Sequence, residues 1–190
     1  MRLASFVILL PLVLGPTTQA AQDRWARADS VLRRLPPSAF PQVPRLIRQA
    51  LERRGCTIPQ VALLGVPDSA RTNVVAGSFT RRSRREWAVL CSVDRISRIL
   101  VFVRGRVDSI LELAPAADRQ YLQLDSNNAV GYTRALARAR PAHIRRHARA
   151  FDSPLPSPID HDGIEDAFVE KASQIWYWHR GQWLILMGMD

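Results

Sequence analysis

The sequence predicts an α+β chain: two N-terminal helices packed on a mostly antiparallel sheet of about five to seven strands, with a tryptophan-rich hairpin at the C-terminal end. Three observations carry this. Apolar residues recur at helical spacing over 22–35 and 42–54, the spacing turns strand-like from Asn73, and two aromatic runs meet at Arg180-Gly181.

In the first helical segment, QDRWARADSVLRRL, residues Trp25, Ala28, Val31, Leu32 and Leu35 fall on one face, Asp23 stands near the start and Pro36-Pro37 form the stop. In the second, Val43, Leu46, Ile47, Ala50 and Leu51 make the apolar stripe and Gly55 is a natural C-terminal cap. Cys56 follows at once, a position from which a disulfide would pin the helix end to the sheet.

Four strand runs come next: NVVAGSFT, EWAVLCSV, SRILVFVR and VDSILELA. Ile99 to Val103 is apolar at every position, as suits a central strand covered on both faces, whereas Asp108, Ile110 and Glu112 alternate with Ser109, Leu111 and Leu113 as on a half-exposed edge. A meander is the simplest wiring, with Asp94-Arg95 and Arg104-Gly105-Arg106 as connections. Turn chemistry dominates 114–160 in APAAD, DSNN and SPLPSP. Within it RALARARPAHIRRHARAF is helix-prone but interrupted by Pro141, so an irregular basic segment is expected near 134–158. In the last hairpin a two-residue turn at Arg180-Gly181 puts Trp178 opposite Trp183 and Trp176 opposite Ile185. Trp176, Trp178 and Trp183 then share one face, and Ile175, Tyr177, Leu184 and Leu186 the other. Either the hairpin is sandwiched in the core, or its tryptophan face is open and suits sugar stacking or a protein contact.

Residues 1–20 have the layout of a cleaved signal peptide: Arg2, an apolar run from Leu3 to Leu14, Gly15-Pro16, and small residues before a cut after Ala20 or Ala21. No later stretch has membrane-spanning length, so the expected product, 21–190, is a single exported domain, periplasmic or secreted, with no transmembrane segment once the signal is removed. In that compartment the cysteines, Cys56 and Cys91, read first as a disulfide. The formal net charge is +10. Such a chain is drawn to anionic partners: an envelope polymer, a glycan or a protein. Lys171 is the only lysine. An arginine bias of that kind also follows from genome composition, and with export it turns the expectation away from nucleic acid.

The segment TRRSRR sits between two strand runs and reads as a hairpin tip. Arg81, Arg82, Arg84 and Arg85 there either discourage edge pairing as solvated charge or hold phosphate and sulfate groups in guanidinium forks. NVVAGSF, then EWAVLCS, then RILVF resemble the hairpin of FG-GAP or VCBS-type units in exported bacterial proteins, where a Gly-x-Phe strand, an acidic calcium loop and an Asp-aromatic-Ala-Val-Leu strand follow one another. HDGI, VEKAS, WYW and GQW are similar to the C-terminal half of small exported bacterial proteins carrying one such hairpin. The four arginines stand where that family's loop carries calcium ligands, and only Glu86 there is acidic. Calcium is therefore not expected at the tip, and a single visible unit does not make a propeller.

Asp160, Asp162 and Asp166 in DHDGIED are the candidate metal ligands, the cation being calcium, but the preceding PSPI offers no carboxylate and a strand-capping turn is the competing reading. His143 and His147 share a helical face with two arginines between them, which opposes a cation. No Gly-x-Ser-x-Gly elbow occurs, no spacing selects a carboxylate pair, and no cofactor is implied. The expected function is a non-catalytic binding or accessory module of the bacterial envelope, using Arg81, Arg82, Arg84, Arg85, Trp176, Trp178 and Trp183. A small inhibitor of a lytic enzyme, presenting the tip, is the alternative. A metal-dependent hydrolase would instead need Asp160, His161, Asp162, His143 and His147 to meet in one pocket.

Overall fold

A computed structural model describes residues 16–62, 66–67 and 69–187. Residues 1–15, most of the expected signal peptide, lie outside the described residues. In chain order the elements are α1 (Pro16–Val31), β1 (Arg34–Leu35), α2 (Arg45–Arg53), β2 (Ile58–Pro59), β3 (Val74–Gly77), β4 (Glu86–Val93), β5 (Ile96–Phe102), β6 (Ile110–Ala117), β7 (Leu122–Leu124), β8 (Val130–Tyr132), β9 (Arg134–Ala139), α3 (Pro141–Ala150), β10 (Gly163–Phe168), β11 (Ala172–His179) and β12 (Gln182–Met187). No helix among the described residues is long and apolar enough to cross a membrane.

The strands do not form the one sheet read from the sequence. They form two antiparallel four-stranded sheets, ordered β3-β4-β5-β6 and β12-β11-β10-β9, and two small pairs, β1-β2 and β7-β8. Nor do two N-terminal helices lie together on one of them. Helix α2 packs on the first sheet, where Ile47 and Leu51 meet Trp87, Val89, Cys91, Leu100 and Phe102. Trp25 and Ala28 of α1 pack instead beside Leu122, Tyr132 and Val130 of the β7-β8 pair.

Alternation explains the rest of the layering. Ala88, Leu90, Ile99 and Val101 point away from α2 and bury against Leu136, Ile164, Trp176 and Trp183 of the second sheet. The far face of that sheet buries Ile175, Tyr177 and Leu186 against Ile144 of α3. The core is thus helix, sheet, sheet, helix, and the unbroken apolar runs of β4 and β5 reflect cover on both faces.

Two helix ends differ from the pattern in the sequence. Helix α1 stops at Val31, which is 73% exposed, because Arg34 and Leu35 leave to pair with Pro59 and Ile58. Helix α2 ends in a Schellman motif: Gly55, at φ +69°, donates to Glu52 and Cys56 donates to Leu51. This aims Cys56 at β4, and the Cys56–Cys91 disulfide forms there, closing a loop with a sequence separation of 35. A loop of that size stabilises by roughly 3–4 kcal/mol in the chain-entropy model. The basic segment near 134–158 is regular up to Ala150, a strand and then a helix. Pro141 starts that helix rather than interrupting it, since the first turn needs no proline N–H.

The sheets are tied along one edge and, at one end, between their inner faces. At the β3–β9 seam the buried Asn73 side chain donates to Pro59 and Arg134 carbonyls at 2.7 and 3.0 Å and accepts from Leu136 N–H at 2.8 Å. Between the sheets, fully buried Arg134 donates through Nε and Nη2 to both Asp166 oxygens at 2.9 and 2.8 Å. It also donates to Ser97 Oγ at 3.1 Å and to the Ala114 carbonyl at 2.9 Å. Burial alone would lower the guanidinium pKa; the Asp166 hydrogen bonds and charge outweigh it and raise it.

Arg134→Met leaves Asp166 buried without a counter-charge and should lower stability by about 3–5 kcal/mol. Combining it with Asp166→Leu should recover most of that loss in urea unfolding. Equal losses in the single and double variants would show that the pair does not hold the sheets.

Candidate functional site

At the end of the sandwich away from Arg134, residues 78–85 join β3 to β4, and 80–85 make the basic tip. Its shape depends on Glu86, the lone acid in the run, which is fully buried. The Glu86 carboxylate accepts from Thr80 N–H at 2.7 Å and Thr80 Oγ1–H at 2.6 Å. It also accepts from Arg104 N–H at 3.1 Å, in the turn between β5 and β6. One side chain therefore fastens two loops that lie 18 residues apart in sequence.

Between those loops and the end of β11 lies a cleft of about 350 Å³, lined among others by Thr80, Arg81, Arg84, Arg104, Ser109 and Trp178. No acidic side chain lines it. Among the described residues Arg81, Arg84 and Arg104 make no ion pair, whereas neighbouring Arg106 is bound to Asp108. Arg104, in the turn after β5, takes φ +59°. The cleft is basic on two walls and aromatic on the third.

The other binding candidates separate from this group. Arg82 is exposed on the crest of the tip, and the Arg85 guanidinium lies 5.2 Å from the centre of the Trp87 ring. Trp178 pairs with Trp183 and Trp176 with Ile185 across the hairpin. Trp176 and Trp183 pack into the core between the sheets, where both indole N–H groups are buried without a partner. Trp178 is the tryptophan of the three that reaches the cleft; its ring meets Trp183 edge-on at 5.3 Å.

The candidate metal ligands are engaged elsewhere. Asp160 is exposed. Asp162 binds Arg138 at 2.8 Å and accepts from Ser78 N–H at 2.8 Å. Asp166 holds Arg134. His161 stacks on Tyr177 at 4.4 Å, and His143 stands 3.4 Å from Glu165. Among the described residues no three His, Cys, Asp or Glu side chains are grouped to hold a metal ion. Glu86 and Arg104 are the site residues to which the sequence pattern assigns no role. The signal was present for Glu86, an isolated acid among arginines; Arg104 reads as an ordinary connection until β5 and β6 are folded beside the tip. Compared with protein-family models, with curated proteins and with solved structures, the chain matches none.

Glu86→Ala should speed amide exchange at Thr80 and Arg104 together, with Glu86→Gln intermediate. Unchanged exchange would remove Glu86 as the fastener. His147 gives a second test: it is buried with both ring nitrogens unpartnered, and burial lowers its pKa. Its folded pKa lies below its unfolded value, about 6.5. The unfolded chain then binds the extra proton first, so the contribution is complete above that pH and is lost as pH falls towards the folded pKa. The urea midpoint should decline as pH falls through about 6.5, and His147→Leu should flatten that decline.

Proposed function

We propose that this protein is an exported, non-catalytic binding module of the bacterial envelope and that its basic cleft takes an anionic sugar. The observation that carries the reading is the meeting of three arginines free of ion pairs, Arg81, Arg84 and Arg104, with Trp178 in one cleft. Guanidinium forks match sulfate and phosphate oxygens, and an indole face stacks on a sugar ring. Export is supported by the signal-like N-terminal residues and is compatible with the disulfide. On this reading the hairpin that resembles an FG-GAP unit has exchanged a cation loop for an anion-binding tip.

The test is calorimetric binding of a sulfated heparin disaccharide. Replacing Arg81 and Arg84 with Ser and Arg104 with Asn, which tolerates a positive φ, should weaken binding at least about tenfold, since each lost charge-assisted hydrogen bond is worth roughly 1.5–3 kcal/mol. Trp178→Ala should weaken it too and remove preference for the sugar over free sulfate. Affinity unchanged by either variant would take the cleft out of the function.

A further inference from the structure

We propose that the ligand is a linear polyanionic glycan that crosses the tip, with one anionic group in the Trp178 cleft and another in a second cleft on the opposite flank. The inference rests on the preceding reading of the first cleft. The second cleft, about 450 Å³, is lined by Ala76, Gly77, Ser78, Ser83, Arg85 and Arg138. These residues come from β3, the β3–β4 connection and β9, whereas the first cleft is built from the tip, the β5–β6 turn, the start of β6 and β11. The six-residue tip is the wall between them.

Sheet register sets their separation. Arg138 pairs with Ile164 and Ile164 with Trp176, so Arg138 and Trp178 lie on the same face of the second sheet with β10 between their strands. Two strand spacings place the clefts on the order of 10 Å apart. A single small anion fills one cleft only. A chain with repeated charges fills both and passes Arg82, which is exposed and unpaired on the crest.

The donors in the second cleft suit the same chemistry. Arg138 is 44% exposed but already neutralised by Asp162, so Arg85 supplies the net charge. The Trp87 ring beneath Arg85 holds its guanidinium in place before a ligand arrives. Ser78 and Ser83 add hydroxyl groups, and no aromatic side chain lines this cleft. A single-stranded nucleic acid gains its affinity from successive stacked bases. One tryptophan across two clefts favours a polar, charged glycan over a run of bases.

The experiment measures affinity for heparin-derived oligosaccharides from disaccharide to octasaccharide. For the unmodified protein, linking two sites through one chain should raise affinity about tenfold or more once both clefts are spanned. Arg85→Ser should abolish that rise and leave disaccharide affinity within about twofold; Ser83→Asp, which adds a repelling charge at a positive φ that Asp tolerates, should do the same without removing the Arg85–Trp87 contact. A bound disaccharide with no rise, or a rise that survives both variants, overturns the crossing and leaves the first cleft standing. Disaccharide binding indifferent to Arg81, Arg84 and Arg104, or no heparin binding at all, overturns both readings. A single-stranded oligonucleotide of equal charge bound as tightly as the octasaccharide overturns the glycan assignment.

Discussion

The Arg134–Asp166 pair is the interaction on which the arrangement of the sheets depends. A guanidinium and a carboxylate buried to 0 and 1% side-chain exposure are costly unless every donor and acceptor is matched. Arg134 matches its donors by reaching from the second sheet to Ser97 and Ala114 of the first. Sheet one is bent to allow it: the β5–β6 register slips between Ser97 and Ile99, and Ala114 adopts φ +49°, unfavourable for a residue with a Cβ. The bulge presents the Ala114 carbonyl to the guanidinium. Sliding one sheet along the other by a residue would strand these polar groups in the core, so the pair selects one stacking among many that the apolar surfaces alone would accept.

With that end fixed and Asn73 holding the β3–β9 edge, the opposite end follows. Strand β11 runs past the start of β10, carrying Trp178 beyond the filled core, and the tip and the β5–β6 turn close over it. Glu86 makes those two loops one wall. The cleft is therefore a consequence of sheet stacking rather than of any local motif.

Charge is sorted in the same way. Five acids of this basic chain are committed to structural arginines: Asp118 and Asp29 to Arg34, Glu112 to Arg54 and Arg98, Asp166 to Arg134, Asp162 to Arg138. Among the described residues the tip arginines and Arg104 are left without such partners. Net positive charge is a property of composition; that the cleft arginines stand unopposed is a property of where the fold placed the acids.

Local features were legible in the sequence because they depend on neighbours a few residues apart. The β4 run, the Asp94-Arg95 and Arg180-Gly181 turns with their positive φ values, the cross-strand tryptophan register, and the Gly55 helix stop with Cys56 behind it all follow from periodicity and backbone sterics. Misreadings arose where a distant partner overrode the local pattern. Leu35 belongs to a helical stripe until Ile58 offers a strand partner, and Pro141 interrupts a helix only if the residues before it are helical, whereas they pair with β10. Five arginines of the two clefts, Arg81, Arg84, Arg85, Arg104 and Arg138, were visible as charges, but not as a group with Trp178. Hydrophobic pattern determined which residues face inward; only the tertiary structure decided that those faces split between two sheets. The choice lies in polar contacts such as Arg134 to Ser97, 37 residues apart, which no local period encodes.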